Sequence, residues 1–184
     1  MVFSCCFKFK KGQIKQIDGI QLLKAAKAEN RRSLENLLLS VDVNFCNPHG
    51  LNALHISAKT GNVGICQHLL NHGININAAT EKMNTALHIA SLSGHREVVS
   101  LLLEHGANIN PKSTASFTPL YMAAQENHKE IVEILLSKGA DPGILAMDKF
   151  TPRMVAEQQG HDDVVKIIDR YTRNSTYMTS YQSW

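Results

Sequence analysis

The sequence has few cysteines and no long apolar run, and both absences narrow the class of protein. Its four cysteines are irregularly spaced, which argues against a disulfide framework and favours a reduced, cytoplasmic compartment. No stretch of about eighteen apolar residues is present, so an ordinary membrane-spanning helix is excluded. Lys8, Lys10 and Lys11 interrupt the apolar residues near the amino terminus, and we therefore do not expect a secretory signal.

The sequence motifs of common enzyme classes are also missing. It contains no glycine-rich phosphate loop, no nucleophile elbow and no zinc cassette. At 184 residues, with 43% hydrophobic and 19% charged residues, the chain can bury the core of one domain. We expect a folded protein that has no catalytic residues, no metal site and no cofactor.

The formal net charge of +3 is unevenly distributed. Residues 1–32 carry eight basic and two acidic groups, whereas the rest of the chain carries eleven basic and fourteen acidic groups. The larger part of the chain is therefore mildly acidic and poorly suited to phosphate backbones. Nucleic acid is not an expected partner.

One short pattern returns four times at a constant interval. It begins at Asn52, Thr85, Thr118 and Thr151, so each interval is 33 residues, and small residues such as Ala90 follow at the same interval. A unit of this length cannot bury its apolar face alone and must pack on its neighbours. The interval therefore predicts a solenoid, and extended solenoid surfaces usually bind proteins.

Each unit is predicted to contain two short helices and a turn. Thr118 followed by Pro119 is a strong helix start, because the hydroxyl caps a backbone N–H and proline suits the first helical position. After a break at Gly61, Gly94 or Gly160, the second helix carries apolar residues at helical spacing. Gly73, Gly106 and Gly139 follow these helices, where a left-handed residue is favoured.

The two ends of the array are irregular. A degenerate unit with Glu29 in place of glycine precedes the four full units and is predicted to cap the array. In the last unit Arg153 replaces a buried leucine, which is tolerable only at an end where the side chain reaches water. We predict a flexible leader over residues 1–18, a repeat domain over residues 19–171 and a flexible tail over residues 172–184.

These residues resemble the ankyrin repeat over about residues 20–171. The strings at 46–55, 84–92, 117–128 and 158–161 are similar to the opening, membrane-binding repeats of metazoan ankyrin itself. The resemblance implies an all-α ankyrin-repeat solenoid of four full helix-turn-helix repeats and a degenerate N-terminal capping repeat. Met83, Ser116 and Lys149 stand where the family has a glycine in the finger-like turn between repeats, which suggests altered fingers.

Ankyrins are adaptors between membranes and the cytoskeleton, and their long arrays hold transporters, channels and the tails of adhesion receptors. The resemblance implies a non-enzymatic adaptor that binds cytoplasmic tails of membrane proteins or cytoskeletal proteins, at the cytoplasmic face of the plasma membrane or at the cytoskeleton. The family's array is several times longer than this one and has a spectrin-binding region downstream of it. We expect a monomeric binding fragment rather than a complete linker.

In this family the fingers and the first helix of each unit face a concave groove. The corresponding finger positions are predicted to bind protein: Pro48, His49, Leu51, Glu81, Lys82, Asn84, Thr114, Ala115, Phe117, Met147, Asp148 and Phe150. The corresponding first-helix positions are Lys59, Thr60, Leu92, Ser93, Gln125, Glu126, Gln158 and Gln159.

One column of these positions is mostly apolar: Leu51, Asn84, Phe117 and Phe150. Two interpretations remain open for this column. The side chains can simply pack against neighbouring fingers, or they can form an apolar strip that holds an extended peptide.

The leader pairs Cys5 and Cys6 with aromatic residues and lysines. An acyl chain and a basic patch together would give stable attachment, so lipidation at Cys5 and Cys6 and peripheral membrane contact through residues 1–15 form one hypothesis. An unstructured leader with incidental thiols is the other.

Two further functions compete with the adaptor. The first is a soluble scaffold or inhibitor that masks a kinase or transcription factor. The second is a metal-dependent enzyme with a site at Cys66, His68 and His72, although this spacing supplies fewer ligands than zinc requires. The series His161-Asp162-Asp163 also suggests acid–base chemistry, but it repeats the pattern of His95-Arg96-Glu97 and is interpreted as structural.

Overall fold

The computed structural model describes residues 17–180, with side chains as far as Arg173. Cys5, Cys6 and the proposed membrane contact lie outside the described residues. The helices within this part of the chain are α1 (17–27), α2 (Arg31–Leu38), α3 (Ala53–Thr60), α4 (Val63–Asn71), α5 (Ala86–Ser93), α6 (Arg96–Glu104), α7 (Pro119–Gln125), α8 (Lys129–Ser137), α9 (Pro152–Gln158) and α10 (Asp162–Ser180).

The helices form five consecutive pairs, which we call repeats 1 to 5. The first helices α3, α5, α7 and α9 pack side by side, and the second helices α4, α6, α8 and α10 form a row behind them. Between these rows the small residues Ala90, Ala123 and Ala156 are fully buried, so the helices can approach closely. The predicted all-α solenoid of four full repeats and one capping repeat is confirmed.

The first helices begin as their sequences predict. The side chains of Asn52, Thr118 and Thr151 each accept a hydrogen bond from the backbone N–H three residues later, at 3.1–3.2 Å. Pro119 and Pro152 occupy the first helical turn, where a missing N–H costs nothing. Local sequence therefore determines where α3, α7 and α9 start, whereas the Thr85 hydroxyl at the start of α5 bonds to the ring of His88.

A histidine at the start of the second helices α6, α8 and α10 reaches back to the preceding repeat. The Nε2 atoms of His95, His128 and His161 lie 2.9–3.1 Å from carbonyl oxygens of Lys59, Leu92 and Gln125, which are at the last turn of the preceding first helix. These carbonyls have no partner within their own helix. The histidines of the supposed acid–base series are thus caps for a neighbouring helix.

The finger turns keep the left-handed backbone even without glycine. Gly50 has φ = 74°, and Met83, Ser116 and Lys149 at the equivalent positions have φ = 58°, 59° and 65°. The expectation of altered fingers is therefore wrong for the backbone, because hydrogen bonds at each finger impose the same turn. Only the side chains differ, and a left-handed non-glycine residue costs about 1–2 kcal/mol.

The last repeat accommodates Arg153 through ion pairs. Its guanidinium lies 2.7 Å from Asp169 and 2.8 Å from Glu157, and the side chain is 38% exposed. The buried leucine of the other repeats is thus replaced by a link from α9 to α10.

Helix α10 continues without interruption from Asp162 to Ser180. The predicted boundary at 171/172 therefore falls inside a helix, and the polar sequence after Tyr171 is helical as far as Ser180. Residues 17 and 18 of the expected leader already belong to α1. The flexibility of both ends remains a prediction.

Replacing Gly94 by alanine should destabilise the protein more than replacing Gly106 by alanine. Both glycines are left-handed (φ = 80° and 81°), but a Cβ at Gly94 would lie 2.6 Å from Cε1 of His128, whereas a Cβ at Gly106 meets no atom within 4 Å. Gly106→Ala should cost about 1–2 kcal/mol from backbone strain. Gly94→Ala should cost a further ~1 kcal/mol or more, because it displaces the His128 hydrogen bond. Urea unfolding measures both variants, and equal losses would contradict the role of His128.

Candidate protein-binding groove

Four finger turns project from one edge of the stack: residues 47–51, 80–84, 113–117 and 146–150 (fingers 1 to 4). Each finger is closed by a backbone hydrogen bond of 3.0 Å between its first N–H and its last carbonyl, as from Thr80 to Asn84. Successive fingers are joined by single backbone bonds of 3.0–3.1 Å: Glu81 N to His49 O, Thr114 N to Lys82 O, and Met147 N to Ala115 O. The fingers therefore form one continuous row.

Two buried histidines attach this row to the helices. Nδ1 of His55 accepts the backbone N–H of Asn52, so Nε2 carries the proton and donates to the carbonyls of Ala78 and Asn84 at 3.0 and 3.2 Å. His88 does the same in the next repeat, where its Nε2 lies 3.0 Å from the carbonyl of Phe117. Burial lowers the pKa of both histidines and keeps them neutral, as this pattern requires.

Tyr121 occupies the same position in repeat 4 and uses a different acceptor. Its hydroxyl donates to the Asp148 carboxylate in finger 4 at 2.7 Å, and its ring stacks on Phe117 at a centroid distance of 4.6 Å. Burial, together with the Asp148 carboxylate, raises the pKa of Tyr121 well above its usual value. Tyr121 therefore remains a neutral hydrogen-bond donor.

A depression of about 490 Å³ lies between fingers 2 and 3 and the first helices α5 and α7. We call it the central depression, and its lining residues are Lys82, Asn84, Leu92, Ser113, Thr114, Ala115, Phe117, Met122 and Gln125. Its volume is within the range of pockets that hold ligands. Seven of the residues predicted to bind protein meet in this one place, and only Ser113 and Met122 were not among them.

Sequence reasoning missed Met122 because it belongs to the buried register of α7. Its side chain is 7% exposed, and it forms the floor of the central depression rather than its rim. Its position is equivalent to that of Ile56 and Ile89, so a comparison of first-helix columns could have identified it.

The remaining predicted residues do not line the central depression. They are Pro48, His49, Leu51, Lys59, Thr60, Glu81, Ser93, Glu126, Met147, Asp148, Phe150, Gln158 and Gln159. Their role in binding remains a prediction.

The mostly apolar column is half-buried at all four positions. Phe117 and Phe150 pack against the hydrophobic core, and Phe117 also lines the central depression. Phe117 therefore packs against the core and also contributes to the surface of the depression, whereas binding of an extended peptide along the column remains a prediction.

The acidic side chains at the fingers already have partners, whereas Lys82 has none within the part of the chain that the structure describes. Glu81 lies 3.1 Å from His49, and Asp148 accepts from Tyr121 and from the backbone of Phe150. Among the described residues, Lys82 has no acidic partner, and it is the one charged residue that lines the central depression. The depression is therefore locally positive.

The alternative metal site does not assemble. The Cys66 thiol is buried and donates to the hydroxyl of Ser57, and His72 bonds to the carbonyl of His68 in its own helix. Burial raises the pKa of Cys66, which disfavours the thiolate that binds metals. No group of three or more metal-binding side chains is found within residues 17–180. In the same part of the chain, no helix is long and apolar enough to span a membrane.

The stability of the protein should fall as the pH is lowered below about 6.5, the ordinary pKa of histidine. His55 and His88 have lowered pKa values in the folded state, so the unfolded chain takes up protons first. Each histidine should contribute a slope of up to about 1.4 kcal/mol per pH unit below that point. Urea unfolding between pH 7.5 and 5.5 measures the slope. The double variant His55→Gln/His88→Gln should have a smaller slope, and an equal slope would contradict this assignment.

Tyr121→Phe should lower the free energy of unfolding by about 1–2 kcal/mol, because it removes a partly buried hydrogen bond to a carboxylate. Tyr171→Phe is the matched control, since the ring of Tyr171 is half-buried and no hydrogen bond of its hydroxyl is found in the described part of the chain. Thermal unfolding compares the two variants. Similar small effects would show that the link to Asp148 contributes nothing.

Comparison with known proteins identifies the repeats. The family model "Ankyrin repeats (3 copies)" matches residues 22–113 and 112–174, which is more than half of the chain. Delta-latroinsectotoxin-Lt1a of Latrodectus tredecimguttatus is 37% identical over 62 residues, a match that covers 33% of this chain and 5% of the toxin. The chain thus corresponds to a small part of that relative's length. It belongs to the ankyrin repeat family, whose domains are typically non-enzymatic modules for protein–protein interaction.

Proposed function

We propose that this chain is an adaptor that binds an extended segment of a protein partner in the central depression and along the fingers. The observation that carries the proposal is the apolar surface at this edge. Leu92 is 44% exposed in the depression, and Met147 is 71% exposed on finger 4. Exposed apolar side chains beside a rigid row of backbone turns suit an extended peptide.

The partners we propose are cytoplasmic tails of membrane proteins or cytoskeletal proteins, and the site of action is the cytoplasmic face of the plasma membrane or the cytoskeleton. The similarity of the strings at 84–92 and 117–128 to metazoan ankyrin supports this choice. The basic residues 1–32 would favour a position close to an anionic membrane surface.

The double variant Leu92→Ser/Met147→Ser should lose the partner while it keeps the fold, because both side chains are exposed. The matched control is Val63→Ser, since Val63 is 39% exposed but lies at the start of α4, in the second row of helices. Affinity capture from detergent-solubilised membranes and from cytosol, with the retained proteins identified by mass spectrometry, measures the difference. Loss of two apolar contacts should weaken binding about tenfold or more.

The result has three informative outcomes. Membrane or cytoskeletal proteins that are retained by the wild type and Val63→Ser, but not by the double variant, would support the adaptor. Groove-dependent capture of a kinase or transcription factor would favour a soluble scaffold or inhibitor. Identical capture by the wild type and the double variant would rule out the groove as the binding surface.

A further inference from the structure

We propose that the central depression selects an extended peptide in which a large apolar residue stands next to an aspartate or glutamate. This inference rests on the proposed function and specifies its partner. Three features of the depression carry it: an apolar floor, an unpartnered amide oxygen and an unpaired lysine.

The apolar floor determines the anchor residue. Leu92, Phe117 and Met122 converge there, and methionine is a flexible side chain that adapts to different apolar shapes. Leu92 is the exposed member and Met122 is nearly buried, so Met122 lies deeper in the depression than Leu92. One large aliphatic or aromatic side chain of the partner would cover Leu92 and remove it from water.

Asn84 determines where the partner's backbone passes. Asn84 lines the depression, and its Oδ1 atom is buried and has no hydrogen-bond partner among the described residues. A buried polar atom without a partner costs about 1–3 kcal/mol. The equivalent residue in finger 1 is Leu51, so this position accepts an apolar side chain without any change of fold. An asparagine here is explained if its side chain turns toward the bound peptide, so that its oxygen becomes accessible and accepts a backbone N–H of the peptide.

Lys82 determines the charge of the partner. The two acidic residues of the fingers are engaged, Glu81 by His49 and Asp148 by Tyr121. Glu126 follows Gln125 but does not line the depression. A carboxylate beside the apolar anchor would therefore find an ammonium group that has no acidic partner among the described residues. Because Lys82 is exposed, this pair would be weak and sensitive to salt, and it would contribute selectivity rather than most of the affinity.

The same charge disfavours the chain's own leader as the occupant. Residues 1–16 carry Lys8, Lys10, Lys11 and Lys15 and no acidic residue, so this segment would place more positive charge beside Lys82. A second copy of the repeat array offers no extended segment of the required kind within the described residues, since its fingers are already paired with one another.

Selection from a display library of random twelve-residue peptides tests the inference on the full chain. We expect the enriched peptides to share a large apolar residue with Asp or Glu within two positions. Fluorescence anisotropy then measures Kd for the most enriched peptide and for its Asp→Asn or Glu→Gln form. Lys82→Ala should weaken binding of the acidic peptide about fivefold at low salt, consistent with one partly exposed charge pair. It should leave the amide form unchanged.

Two further variants separate binding from folding. Asn84→Leu should raise the unfolding temperature, because it removes an unpartnered polar atom, and should weaken peptide binding about tenfold. An asparagine with only a structural role would not give a higher unfolding temperature together with weaker peptide binding when it is replaced. Lys138→Ala is the control for Lys82, because Lys138 is an exposed lysine at the end of α8, away from the fingers.

The outcomes distinguish this inference from the proposed function. If the enriched peptides have no acidic residue, or bind equally well to Lys82→Ala, the preference for an acidic residue is overturned. If Leu92→Ser abolishes binding of these same peptides, the groove is still the binding surface. If Leu92→Ser and Asn84→Leu leave binding unchanged, or if no peptide is enriched, both proposals fail. Tight binding of a synthetic peptide of residues 1–16, or a dimer that Leu92→Ser dissociates in sedimentation, would likewise overturn the inference.

Discussion

Hydrogen bonds from a side chain of one repeat to a backbone carbonyl of its neighbour hold this structure together. His55 and His88 donate forward to the next finger, whereas His95, His128 and His161 donate backward to the end of the preceding first helix. Asparagines add a third set, since Asn44, Asn77 and Asn110 accept the backbone N–H at the corresponding turn of the next unit. Each repeat thus satisfies polar groups that its neighbour cannot satisfy alone, and the array should fold as a cooperative unit.

The rigidity of the fingers has a direct effect on the groove. Because the bonds that align the fingers use mainly backbone atoms and buried rings, the exposed finger positions are free to vary without loss of the fold. Asn84, Phe117 and Phe150 can replace Leu51 in the same column for this reason. Exposed groove residues such as Lys82 and Leu92 contribute little to stability, whereas Phe117 and Met122 belong both to the packed interior and to the groove.

Much of the fold was predictable, because caps and apolar periods are local signals. The starts at Asn52, Thr118 and Thr151 and the left-handed glycines followed from residue chemistry. The left-handed turns at Met83, Ser116 and Lys149 did not follow, since hydrogen bonds between and within fingers override the preference of these residues. The extension of α10 beyond Tyr171 was missed as well, because its polar residues show no apolar period.

The sequence predicted the columns of candidate binding residues, but it did not predict where along the array these columns meet. The resemblance to the ankyrin repeat indicated which columns are expected to face the groove, and the interval of 33 residues treats all repeats alike. Only the packed side chains reveal that the columns converge between fingers 2 and 3, over Met122. The unpartnered oxygen of Asn84 and the unpaired Lys82 are also properties of the three-dimensional surroundings, which no sequence period encodes.

The contact between Tyr121 and Asp148 limits how freely these repeats can be exchanged. A histidine that donates to a backbone carbonyl places no requirement on the residue types of the next repeat, since every residue has a carbonyl. Tyr121 instead requires an acid at one position of the unit that follows, and the equivalent residues of the earlier fingers are Ala115, Lys82 and His49. Repeats 4 and 5 are consequently a matched pair, so a chimera or a duplicated array that separated them would leave a phenol without its acceptor.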